Sequence, residues 1–166
     1  MRDVLVALVA FLLMPFGLAG PAAGHDGCGR FGWQLTREIE LFSDGYMPAV
    51  EASSWLPREG AFVLLLTPMH STLYVVVPER GRDDGFGGFV TLQWIAAGRY
   101  QVTLADEAWI DIVQDDRRLP ILASARRTDC PGIRISLQVD VESKPLTLQF
   151  GGAKGRRLGI AVLRLP

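Results

Sequence analysis

Two histidines, two cysteines and a scatter of acids are the side chains of this 166-residue sequence that could do chemistry. His25 follows the small residues of PAAG, and His70 sits in the turn PMHS. If a leader is removed just before His25, the new α-amine and the imidazole form a chelate. A second imidazole would complete a three-nitrogen copper brace, a geometry that suits that metal. His70 is the other histidine in the sequence, so a copper-binding protein or oxidase built on His25 and His70 is one reading. Hydrolysis has less to work with. No G-x-S-x-G occurs, and Ser71 stands directly beside His70, too close in sequence for the usual nucleophile and base geometry. Asp106 with Glu107, and Asp115 with Asp116, are adjacent acids of the kind solvated turns carry. Asp83–Asp84–Gly85 offers too few oxygens for calcium, which takes six to eight. The two cysteines and two histidines lack any finger-like zinc spacing.

The elements that must position these residues begin with MRDVLVALVAFLLMPFGLAG. One arginine precedes an apolar run from Val4 to Phe16, and small residues follow. That is a secretory signal in outline, assigned to residues 1–24. The run is too short and too broken by Pro and Gly for a membrane span of about 20 residues. A cut before His25 or before Ala23 fits equally, and only the first leaves the histidine with a free amine. In a periplasmic or secreted chain, two cysteines predict one Cys28–Cys130 disulfide. Closing a loop of about 100 residues stabilises by on the order of 4 kcal/mol. Seventeen basic and eighteen acidic residues nearly balance, which argues against nucleic acid as a partner.

Residues 25–60 read as an arm, one short helix over 33–43 and a connector. Leu35, Ile39 and Phe42 form one helical stripe, and Gly45 is a natural stop. Over 61–166 the period changes to two. Ile133, Ile135, Leu137, Val139 and Val141 alternate with polar residues in GIRISLQVDV. PLTLQF and GRYQVTL repeat the pattern. AFVLLL, LYVVV, AWIDIV and LGIAVL are more continuous, and GFVTLQW and LPILASA are weaker. Eight to nine strands without intervening helices predict a mostly β fold, an antiparallel β-sandwich or jelly roll.

The segments CGRFGWQL, GRYQVTLADEAWIDIVQ and DCPGIRISLQVDV…LTLQF together resemble a family of short exported proteobacterial β-sandwich proteins, some of which carry the description homogentisate 1,2-dioxygenase. The resemblance implies a fold more than an activity. A dioxygenase of that class needs two histidines and a carboxylate on iron with further histidines nearby, and two histidines without spaced partners do not supply that set. The hairpin pattern is also similar to pre-peptidase C-terminal and carbohydrate-binding sandwich modules, at the level of architecture alone.

Strand counting assigns the turns to ends. If every candidate strand crosses once, the turn of His70 lies opposite the turn of Cys130. A six-residue strand spans about 20 Å, and three residues from Cys28 let His25 reach roughly 10 Å, so the brace would not close. The same count groups Arg126, Arg127, Lys154, Arg156 and Arg157 with the loop PERGRDDGFGGF and its Phe86 at the end that carries Cys130. Such a basic cluster beside a Gly-rich loop suits an anion or a partner protein. Trp109 shares a face with Asp111 in AWIDIV. It is either an outward sugar platform or is covered by the N-terminal helix. The expectation is a non-catalytic exported binding or accessory module, its partner a protein or, second, a saccharide, with no cofactor unless the copper brace forms.

Overall fold

A computed structural model describes residues 27–80 and 84–166. The leader over 1–24, His25 and Asp83 lie outside the described residues. One helix, α1 (Thr36–Ser43), is followed by twelve strands. They are β1 (Ala49–Glu51), β2 (Ser54–Leu56), β3 (Gly60–Leu65), β4 (Thr67–Pro68), β5 (Phe86–Leu92) and β6 (Gly98–Leu104). The second half supplies β7 (Trp109–Gln114), β8 (Arg117–Arg118), β9 (Ala123–Arg126), β10 (Ile135–Val141), β11 (Leu146–Ala153) and β12 (Arg157–Arg164).

They form two sheets. The first has the order β1-β3-β12-β6-β10-β9 and the second β2-β5-β11-β7-β8, with β4 also on β5. The long neighbours pair antiparallel, but β1 runs parallel to β3 and β2 parallel to β5. The sheets are therefore mixed, which corrects the purely antiparallel expectation. The cause is the connector. It enters one edge of the first sheet as β1, turns at Ser53 with a positive φ of 67°, and leaves along the edge of the second sheet as β2. One extended passage thus crosses one side of the sandwich-like pair. On the other side the chain passes from β8 in the second sheet to β9 in the first.

The two-residue rhythm places the core. Tyr100, Val102 and Leu104 of β6, Leu137 and Val139 of β10, and Leu158, Ile160 and Val162 of β12 face Val90, Leu92, Ile112, Leu146, Leu148 and Phe150 of the second sheet in one apolar cluster. Burying each such side chain contributes about 1.5–3 kcal/mol. Ile133, Ile135, Leu137, Val139 and Val141 are all buried, as the alternation predicts.

The outer face of the first sheet is partly covered. Gln101, Thr103 and Ser136 are buried there under the N-terminal arm. Trp33 Nε1 donates to Ser136 Oγ at 3.0 Å, and Gln101 Nε2 donates to Glu38 Oε1 at 2.5 Å. Glu38 is buried as well. It lies three residues after Leu35 and so shares the sheet-facing side. The Leu35, Ile39 and Phe42 stripe packs with Phe31, Ile133 and the Cys28–Cys130 disulfide. Gly45 takes a φ of +68° just past the helix, the left-handed stop that glycine favours.

LYVVV is not a strand of either sheet. It is a strap over the outer face of the second sheet. Tyr74 Oη donates to the Phe150 carbonyl at 2.9 Å. The buried Gln149 amide accepts from Val76 N at 2.9 Å and donates to Val76 O at 3.1 Å. Farther along, Arg118 Nη2 donates to the Val77 carbonyl. The strap therefore runs crosswise from β11 towards β7 and β8.

Candidate functional site

Demoting LYVVV from the strand count changes the ends. Thr67 pairs with Gly87, Pro68 with Phe86 and Ala153 with Phe86. His70 consequently lies at the end where β5 starts and β11 finishes, which is also the end of Cys130. The strand-direction argument against the His25–His70 brace does not hold. His25 itself is outside the described residues, and among the described residues no group of three or more His, Cys, Asp or Glu side chains is placed to hold a metal.

The basic residues share that end but split into two groups. Arg126 is ion-paired with Glu107. Arg127 donates twice to the Arg30 carbonyl, at 2.6 and 3.2 Å, and so fastens the arm. Lys154, Arg156 and Arg157 are exposed at the β11–β12 turn. Two strands, β6 and β10, stand between β12 and β9, and Arg126 aligns with Ile160 rather than Arg157, so Arg157 and Arg126 are separated by about 14 Å across the sheet and about 10 Å along it. Only Arg156 and Phe86 meet, with the guanidinium 5.3 Å from the ring centroid. Phe86 is half-buried at the start of β5 rather than carried on a loop tip.

Trp109 is buried, not an outward platform. The strap covers it, not the helix: its ring is 5.4 Å from that of Tyr74, tilted by 47°. Asp111 beside it faces Arg118, with Oδ2 and Nε 3.0 Å apart at ion-pair distance but without hydrogen-bond alignment. Asp115 and Asp116 form the two-residue β7–β8 hairpin turn with φ of 49° and 57°, as a type I′ turn requires. Their chemistry is that of a turn.

Two other tryptophans are exposed. Trp55 is 65% and Trp94 70% accessible. Both line one groove of about 630 Å³ at the opposite end, with Glu59, Gln93, Ser143 and Lys144. Local folding explains both. In β2 the alternation turns Ser54 and Leu56 inward and Trp55 out, opposite Thr91 on β5. Trp94 follows the end of β5, where Trp94 N donates to Pro57 O at 3.2 Å and Gln93 N to Leu56 O at 2.8 Å. The connector thus holds the two indoles on one rim. On the far rim Lys144 Nζ holds Asp115 Oδ2 at 2.7 Å and Glu142 Oε2 at 2.6 Å. These two carboxylates hold the lysine well above the usual ammonium range.

A groove of about 600 Å³ beside α1 is lined by Arg37, Glu40, Leu41 and Asp44 among others, and no aromatic ring faces it. Two rings on one open surface, with amide, hydroxyl, carboxylate and ammonium groups between, make a stacking platform with polar fixing points. Sequence reading passed over both tryptophans. Trp55 sits in the connector, and extending the alternation of GFVTLQW through Trp94 would put it on the core side with Val90 and Leu92. The strand ends at Leu92 instead. Among the described residues no helix is long and apolar enough to cross a membrane. No protein-family model, curated protein or solved structure matches the chain.

Proposed function

We propose that this chain is an exported, non-catalytic binding module that takes a saccharide on the Trp55–Trp94 groove. The observation that carries the reading is the convergence of the two exposed indoles on one polar-lined surface of about 630 Å³. Pyranose rings present an apolar face of C–H groups and an equatorial fringe of hydroxyls. Indole faces match the first, and Gln93, Ser143 and Glu59 can exchange hydrogen bonds with the second. Export is supported by the leader-like first 24 residues and by the disulfide.

Titrating the mature protein with a panel of oligosaccharides while following tryptophan emission tests the reading. A shift or quench is expected with at least one glycan. Trp55→Ala and Trp94→Ala should each weaken that binding by about tenfold or more, as truncating aromatic anchors does. Exposed sites of this kind change stability by no more than about 0.5 kcal/mol, so both variants should keep the parent melting temperature. No response to any glycan, or parent-like binding by both variants, would remove the proposal.

A protein partner is the second reading, favoured by Leu73 and Val77 on the strap, 81% and 86% accessible. The copper reading rests on His70 sharing an end with Cys130 and on a leader cut before His25.

A further inference from the structure

We infer that the Trp55–Trp94 groove is selective for uncharged glycans and turns away polyuronates, because its one lining cation is already engaged by two carboxylates; this rests on the saccharide reading above. The charged residues lining the groove are Glu59 and Lys144. Recognition of a uronate needs a cation with free donors facing the sugar carboxylate. Lys144 has three donors, and Asp115 at 2.7 Å and Glu142 at 2.6 Å take two of them. Both partners are exposed, with 64% and 71% of their side chains accessible, so their charge reaches the groove mouth through solvent.

Glu59 adds a carboxylate on the side of the tryptophans, and among the described residues no cation lies within ion-pair distance of it. Arg164 is the nearby cation of the β6 side, and its Nη2 is given to the Ala97 carbonyl at 2.8 Å. Of the two charged side chains that line the groove, Glu59 is therefore open to a ligand while Lys144 is held by two carboxylates. A neutral ring meets acceptors and stacking faces there. A uronate ring meets the same stacking faces plus repulsion. Like charge on the rim lowers the affinity for an anionic ring, and salt screens that effect.

The experiment compares matched neutral and uronic hexasaccharides (gluco-, manno- and galacto-oligomers against mannuronate and galacturonate oligomers). Binding is read by calorimetry and tryptophan emission in low salt and again in 0.5 M salt. Neutral oligomers should bind at least about tenfold more tightly in low salt, with the gap narrowing as salt screens the rim. The double variant Asp115→Asn with Glu142→Gln, which frees Lys144 without touching the groove lining, should raise uronate affinity toward the neutral value and leave neutral binding within about twofold. Uronates that bind as tightly as neutral oligomers in low salt, or a double variant that leaves their ratio unmoved, would overturn the charge argument while leaving the groove a saccharide site. Absence of binding by every oligomer would remove both.

Discussion

At the scale of single residues, Trp109 shows how one polar neighbour misleads. Alternation in AWIDIV puts Trp109 and Asp111 on one face, and an aspartate on a face suggests water. That assignment of faces is correct, because Ile112 lies in the core while Trp109 and Asp111 point outward from the second sheet. What covers them is written about thirty to forty residues earlier, in the strap, and no local pattern announces it. The burial makes a test. Gly151 lies directly opposite Trp109 on β11, and a Cβ there would fall inside the indole ring and 2.8 Å from Met69 Cε. Gly151→Ala should therefore overpack the site and cost about 1–3 kcal/mol. A urea melt would show the midpoint falling with the slope unchanged, and a parent-like midpoint would mean the indole moves freely out of the way. Trp55 and Trp94 illustrate the converse. Their exposure follows from where two short elements stop, and residue type alone gives no hint of it.

Element by element, long strands were legible and short ones were not. β6, β7, β10, β11 and β12 begin and end within about three residues of the apolar runs that predict them, because six to eight residues of regular patterning outweigh local noise. β1, β2, β4 and β8 have two or three residues each, too few to show a period. They exist because a neighbouring long strand offers an unpaired edge. LYVVV errs the other way. Its β-branched residues favour extended backbone, but the chain bends at Val75 and Val76. The hydrogen-bond partner is a side chain, however, since the Gln149 amide imitates a strand by bonding both N and O of Val76. Gln149→Ala should strip that mimic and leave two backbone groups unpaired, at about 1–3 kcal/mol. The strap should then open before the sheets do. Limited proteolysis is expected to cut within residues 72–80 in the variant and not in the parent, and an equally resistant variant would show that Tyr74 and Arg118 hold the strap alone.

For the whole molecule, each sheet has a cover on its outer face, and the two covers differ in kind. The second sheet is roofed by a strap anchored at both ends within the fold. The first is roofed by an arm and an eight-residue helix, pinned through Cys28 to Cys130. A helix of eight residues does not persist alone in water. Its order depends on Leu35, Ile39 and Phe42 finding the sheet, on Gln101 meeting Glu38, and on Cys28 being tied to Cys130. The disulfide spans 102 residues, which corresponds to about 4.7 kcal/mol of loop-closure entropy. Its removal should therefore act unevenly. In a Cys28→Ser, Cys130→Ser protein the melting temperature should drop, and amide exchange across residues 28–43 should accelerate well beyond that of β6, β10 and β12. Thr103 and Ser136 would become reachable by water once the arm lifts, while the core between the sheets keeps its contacts. If exchange instead rose equally in the arm and in the central strands, the helix and sandwich would unfold as one cooperative unit, and the disulfide would stabilise the whole rather than clamp a cover.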